Sequence, residues 1–175
     1  MNVPRHLLIT GPPGCGKTTM LMRLADGLGD LCPAGFFTEE IREAGVRRGF
    51  RLVGLDGRQG VLAHVDFRGG PRVGRYGVDV AGFETFLSEL DLSPHLVFVD
   101  EIGKMECLSP RFIALLRELL DSDRTVVATV ALKGSGFIAE VKARSDCRVT
   151  EVRPGEREAI LTTLRLDLVR CLGDR

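Results

Sequence analysis

The chain has no tryptophan and one tyrosine, and its charges cancel at 24 against 24. Binding nucleic acid through a general electrostatic field needs a basic excess, and gripping single strands needs aromatic platforms. With neither supply present, a nucleic-acid role is not expected. No apolar run approaches the roughly 18 residues of a membrane span. The start, MNVPRHLLITGPPG, lacks the pattern of a secretory leader. The cysteines Cys15, Cys32, Cys107, Cys147 and Cys171 are scattered, and no pair has CxxC spacing. They suggest neither a zinc site nor a disulfide framework, and fit reduced thiols in a cytoplasmic, soluble protein. Repeats, low-complexity segments and long linkers are missing too. Lysine is scarce: among 24 cationic residues, only Lys17, Lys104, Lys133 and Lys142 are lysines.

What remains is an ordinary globular composition. The length of 175 residues, 44% of them hydrophobic, suits one domain (residues 1–175) with a real core. Residues 6–10 read as a short buried strand, and residues 17–28 as a helix that Gly29 stops. Segments 35–42, 49–55 and 60–65 are separated by Glu43-Ala44-Gly45 and Asp56-Gly57-Arg58, which predicts an antiparallel meander over about 35–66. Residues 68–78, rich in glycine and arginine, read as an ordered loop, and 80–90 as a helix. Residues 96–99 form a continuous apolar run, the mark of a strand buried on both faces. Ser109 and Pro110 suit the cap and first position of a helix reaching 120. A strand at 125–131, a short helix at 137–143, a strand at 148–152 and a helix at 154–172 complete the chain. Strands alternating with helices at both ends predict an α/β fold: a mainly parallel sheet flanked by helices, with the meander as an antiparallel addition.

One stretch has features that a core does not need. In LLITGPPGCGKTTMLMRLADGLG an apolar run breaks into glycines and prolines, then sets Lys17, Thr18 and Thr19 at the head of a helix. Residues 11–18 match GxxxxGK[ST], the phosphate-binding loop. The chemistry requires these types. Glycines let backbone N–H groups turn inward, and those amides together with the helix N-terminus hold phosphate oxygens. Lys17 is placed for the β- and γ-phosphates, and the Thr18 hydroxyl for Mg²⁺. Gly11, Pro12, Pro13, Gly14, Cys15, Gly16 and Thr19 complete the candidate binding segment, with Cys15 read as a permissive position and not a nucleophile.

If the loop is real, a second carboxylate motif should exist, and Leu96-Val97-Phe98-Val99-Asp100-Glu101 supplies it. An acidic residue at the carboxyl end of a buried strand lies where open α/β sheets bind ligands. Asp100 is the candidate metal associate. Glu101 is the candidate general base for an attacking water. The adjacent glutamate favours hydrolysis over phosphoryl transfer to another acceptor.

GPPGCGKTT, then GFFTEEIREAGVRRGFRLVGLDG, GPRVGRYGVDV and VFVDEIGKMECLSPRF, in that order, resemble the THEP-type nucleoside-triphosphatases. These are small phosphate-loop enzymes of thermophiles, with a "cancer-related" relative in animals. The likeness runs from about residue 7 to about residue 152. It implies a RecA-like P-loop NTPase domain that hydrolyses ATP, GTP and other nucleoside triphosphates slowly, with Mg²⁺, to the diphosphate and phosphate. It also implies that the segment Asp100, Glu101, Ile102, Gly103, Lys104, Met105, Glu106 and Cys107 completes the nucleotide site. The family's Thr-x-x-Asn-Arg pattern after the last strand is kept here only at Arg157, which leaves base preference open.

Transition-state charge on a γ-phosphate is often met by an arginine. Arg144 resembles a family position and is the first candidate; Arg72 and Arg75 follow. Two alternatives stay beside the hydrolase: a nucleoside or nucleotide kinase on the same scaffold, and a slow NTPase switch acting with a nucleic-acid or protein partner. The substrates expected are nucleoside triphosphates, and the chain is expected to be a monomer.

Overall fold

The computed structural model describes residues 4–173. Its centre is five parallel strands: β1 (His6–Thr10), β2 (Ala34–Glu43), β7 (Leu96–Ile102), β8 (Thr125–Val130) and β9 (Cys147–Glu151). They lie in the order β2-β7-β8-β1-β9. Leu7 pairs with Val127 on one side and Arg148 on the other. Beyond β2 the same sheet continues antiparallel through β3 (Val46–Gly54), β4 (Gln59–His64), β6 (Tyr76–Val78) and β5 (Arg72–Val73), giving nine strands.

The alternation of side chains along each strand sorts the core into two faces. Leu7, Ile9, Phe98 and Val127 point to the face covered by α1 (Lys17–Asp26) and α5 (Arg157–Gly173). Leu8, Val97, Val99, Val126 and Ala128 point to the other. There α2 (Val80–Glu89), α3 (Pro110–Asp121) and α4 (Phe137–Lys142) pack through Phe83, Phe112, Leu116 and Ile138. With helices on both faces, β1 and β8 are buried throughout, which is why their central residues 7–9 and 126–128 are apolar without a break.

Local chemistry places the element ends. Ser109 Oγ accepts from Phe112 N at 3.0 Å, and Pro110 opens α3. Asp79 Oδ1 accepts from Gly82 N at 2.9 Å and caps α2. The meander turns at Ala44-Gly45 and at Asp56-Gly57, both with left-handed backbone.

Three sequence expectations change. Residues 68–78 are not simply a loop: β5 and β6 form a hairpin about Gly74, and Val78 pairs with Ala63. Its buried Tyr76 and Val78 supply the reason, hidden in sequence by the surrounding glycines and arginines. The first helix stops at Asp26 and not at residue 28, because Gly27 already ends it. Strand β7 continues past Val99 to Ile102, so Asp100 and Glu101 stand within the strand's end and not after it.

Candidate active site

Gly16 immediately precedes helix α1, and only glycine adopts its φ of +96° at little cost. No side chain caps this end, and no acidic residue lies in the first turn. Its free N–H groups and positive dipole end therefore face the loop, ready for an anion. Gly11 is needed for a different reason. A Cβ there would stand 2.7 Å from Cys15 Sγ and 3.1 Å from the Val152 carbonyl. Cys15 itself is buried in the core beneath the loop.

Lys17 folds back across the loop. Its Nζ donates to the carbonyls of Gly11 (3.0 Å) and Pro12 (3.4 Å) and lies 3.8 Å from Glu101 Oε2. Asp100 is buried, and four donors fix it. Thr18 Oγ1 (2.9 Å), Thr38 N (3.2 Å) and Thr38 Oγ1 (3.0 Å) reach Oδ2, while the Thr129 hydroxyl donates to Oδ1. Strands β7, β2 and β8 and helix α1 thus converge on one carboxylate. Thr18, Thr38 and Asp100 gather hard oxygens at one point, the donor chemistry Mg²⁺ takes when it keeps waters and binds substrate phosphates. Among the described residues no cluster of three or more His, Cys, Asp or Glu could hold a metal by itself.

Glu101 is pushed up from the ordinary carboxyl range, first by burial and then by Asp100; Lys17 opposes the rise. A carboxylate so raised is a stronger proton acceptor at neutral pH. Glu106 is buried more deeply and is pushed up to about 8, chiefly by burial and then by Glu101. The two carboxyl groups meet over Gly103, where a Cβ would stand 2.8 Å from Glu101 Oε1 and 2.9 Å from Glu106 Oε2. Proximity to Asp100 and Glu101 favours the neutral form of Glu106.

These groups line one cleft of about 690 Å³. Of the sequence-predicted residues, Pro13, Gly14, Gly16, Lys17, Thr18 and Thr19 form its loop side, and Asp100, Glu101, Lys104, Met105 and Glu106 its strand side. Gly11 and Pro12 act through the carbonyls that hold Lys17. Ile102 is buried in the core, while Gly103 and Cys107 do not face the cleft. Burial pushes the Cys107 thiol up to about 12, so it is no nucleophile.

Arg144 is not brought here. Its guanidinium binds Asp146 (2.9 and 2.8 Å), Asp121 (2.8 Å) and the Leu120 carbonyl (3.0 Å). Asp146 precedes β9, whose Cys147 pairs with His6 at the start of β1. Arg144 therefore serves the amino end of the parallel strands, opposite the loop. Arg72 and Arg75 bind the Phe67 and Arg47 carbonyls and do not line the cleft.

Sequence reasoning missed Thr38, Thr129, Arg47 and Lys133. The hydroxyls carried a faint signal: Thr38 follows Phe36-Phe37, and Thr129 interrupts a valine-rich strand. Lys133 carried another, being one of only four lysines. Three of the four line the cleft, and the fourth, Lys142, donates to the Leu132 carbonyl at 2.8 Å, bracing the turn that bears Lys133.

An uncapped helix behind a glycine loop, facing a carboxylate two strands away, defines a P-loop nucleotide-binding protein. Comparison with known proteins narrows the class. A family model described as NTPase matches residues 6–164. The chain is 38% identical over 162 residues to the nucleoside-triphosphatase THEP1 of Thermotoga sp. (strain RQ2), covering 90% of this chain and 92% of that one. It is 35% identical over 187 residues to the human cancer-related nucleoside-triphosphatase, covering 96% of each. The crystal structure of THEP1 from the hyperthermophile Aquifex aeolicus superimposes with a TM-score of 0.80 at 32% identity, over 91% of this chain and 96% of that one. The solution structure of the human protein gives 0.77 at 35% identity, over 96% and 97%. The chain belongs to this NTPase family.

Proposed function

We propose that this chain hydrolyses nucleoside triphosphates to the diphosphate and phosphate, with Mg²⁺, by in-line attack of water on the γ-phosphorus. The observation that carries this reading is the meeting of Thr18 and Asp100 at 2.9 Å beside an uncapped helix end, with Glu101 next to Lys17. The loop amides hold the phosphate chain, and Lys17 exchanges its loop carbonyls for β- and γ-oxygens. Thr18 and Asp100 would hold Mg²⁺, which would supply positive charge to offset the negative charge that develops on the phosphates. Glu101 orients the water and takes its proton. Lys104 and Lys133 supply the cationic charge on the γ side, in place of Arg144.

Nucleoside triphosphates are the substrates, and base preference is broad because the loop reads phosphate. The chain acts as a monomer in the cytoplasm. No helix among the described residues is long and apolar enough to cross a membrane.

Phosphate release from ATP, GTP, CTP and UTP, with Mg²⁺ and with EDTA, tests the reading. Lys17→Ala and Glu101→Gln should each lower turnover by about 10²-fold or more, with folding intact by circular dichroism. Turnover that survives both substitutions would overturn the assignment.

A further inference from the structure

The cleft continues past the groups that hydrolysis uses, and its two flanks differ. On the β9 side, Arg157 at the start of α5 lies against the loop, its Nε 3.4 Å from where a Gly16 Cβ would stand. On the β2 side the wall is the antiparallel meander, where Phe50, Leu62 and Val73 join Met105 in an apolar floor. Asp100 and Glu101 stand between, on β7, adjacent to β2. The γ end of a loop-bound nucleotide, being the end these carboxylates serve, therefore faces the meander, and the base lies towards β9. The meander chamber is not needed for the base. An attacking water has no use for an apolar floor.

One side chain in the chamber is held ready. Arg47 Nε donates to the Tyr76 hydroxyl at 2.9 Å and Nη1 to Glu40 at 2.8 Å, while the guanidinium lies 5.3 Å over the Phe50 ring. Its Nη2 has no hydrogen-bond acceptor among the described residues. A fixed guanidinium edge beside an aromatic face, with the Glu40 carboxylate next to it, matches a flat ring carrying hydrogen-bonding groups. Arg47 and Glu40 cancel one another across their 2.8 Å pair, so this part of the wall matches a neutral occupant.

We propose that the chamber is an acceptor site for a nucleoside, and that the protein transfers the γ-phosphoryl group to the nucleoside hydroxyl as well as to water. This rests on the nucleotide-binding reading above, because the donor is the triphosphate held by the loop. The hydroxyl oxygen forms a bond to the γ-phosphorus. The bond from that phosphorus to the β–γ bridging oxygen breaks, and its electron pair leaves on the nucleoside diphosphate. The hydroxyl proton passes to Glu101. The products are a nucleoside monophosphate and a nucleoside diphosphate.

The test uses the full chain with Mg²⁺ and ATP, alone and with each member of a panel of ribo- and deoxyribonucleosides. Products are resolved by mass spectrometry, and free phosphate is measured in parallel. The expected result is a nucleoside monophosphate formed with matching ADP. Val73→Trp, which fills the chamber, and Phe50→Ala, which removes its ring, should each cut transfer about tenfold or more while acceptor-free hydrolysis stays within about twofold. Intact acceptor-free hydrolysis with no nucleoside monophosphate from any panel member overturns the acceptor site alone. Transfer unmoved by both substitutions overturns its location. Absence of both hydrolysis and transfer overturns the site together with the reading it rests on.

Discussion

Glu106 offers a measurement in which burial and chemistry can be separated. The residue is 6% exposed, and its carboxyl stands over Gly103 beside Glu101. Burial and the neighbouring charges raise it from 4.5 to about 8. A group raised on folding contributes fully below its unfolded value, and that contribution is lost as pH climbs towards the folded value. Each unit is worth about 1.4 kcal/mol, so keeping Glu106 costs the fold about 3 kcal/mol at pH 7 and about 5 kcal/mol above pH 8, relative to acid. Glu106→Gln keeps the shape and removes the titration. The stability of Glu106→Gln minus that of the parent should therefore rise by about 3 kcal/mol from about pH 4.5 to about pH 7. The subtraction cancels every other titrating group except those coupled to Glu106. Urea unfolding followed by far-UV circular dichroism suits a chain without tryptophan. Two stability curves that stay parallel across this range would refute the argument, because they would mean that Glu106 titrates alike folded and unfolded.

His6 should act in the opposite direction. It is fully buried, accepts from Val126 N at 3.1 Å and meets the Leu120 carbonyl at 3.0 Å, and burial lowers it from 6.5 to about 4. Its contribution is present above 6.5 and lost as pH falls towards 4, about 3 kcal/mol in all; an NMR titration of the imidazole near its ordinary value would contradict this. Arg144→Ala should cost about 1–3 kcal/mol in urea unfolding, by orphaning acceptors at the amino edge, while turnover stays unchanged; a large loss of turnover in folded protein would return Arg144 to the site. Gly35→Ala should cost about 3 kcal/mol or more, read as lost soluble yield or a collapsed unfolding midpoint. Its φ is +122° and a Cβ would stand 1.8 Å from the Phe98 carbonyl. A stable Ala variant would show that the β2–β7 pairing has room the geometry denies.

The parallel half of the fold was legible because its physics is local. A strand buried on both faces is apolar along its central run, and residues 7–9 of β1 and 96–99 of β7 are. The phosphate loop was legible because an anion site built from backbone needs glycine at fixed places. Asp100 followed from the strand that carries it. The hairpin of β5 and β6 was not legible, since two- and three-residue strands leave no period to count, and the glycines around them signal turns. Arg144 failed for a different reason. Its position along the chain said nothing about which end of the sheet it would serve, and the end is decided by Asp146 and Asp121, acids that look like surface residues in one dimension. The register that sets His6 opposite Cys147 is the fact that moves Arg144 away from the loop.

The lysines show how a compositional oddity becomes a structural one. An arginine keeps its charge in almost any setting and forks onto carboxylates, so it suits the ion pairs that cover this surface, such as Arg117 with Glu140 and Arg23 with Glu158. A lysine is a compact point charge on a flexible stem, better able to follow a phosphate group through a reaction. Lys17, Lys104 and Lys133 approach the cleft from three different places: the head of α1, the turn after β7 and the turn after β8. Lys142 stands behind the last of these and is itself drawn into the electrostatics of Glu101. A chain that uses arginine at its other 20 cationic positions, yet sets three of its four lysines on one cleft and the fourth behind it, places its movable charge where negative charge must develop. That distribution argues for phosphoryl chemistry in this cleft; Lys17 belongs to the loop motif, so the support that is independent of it comes from Lys104 and Lys133.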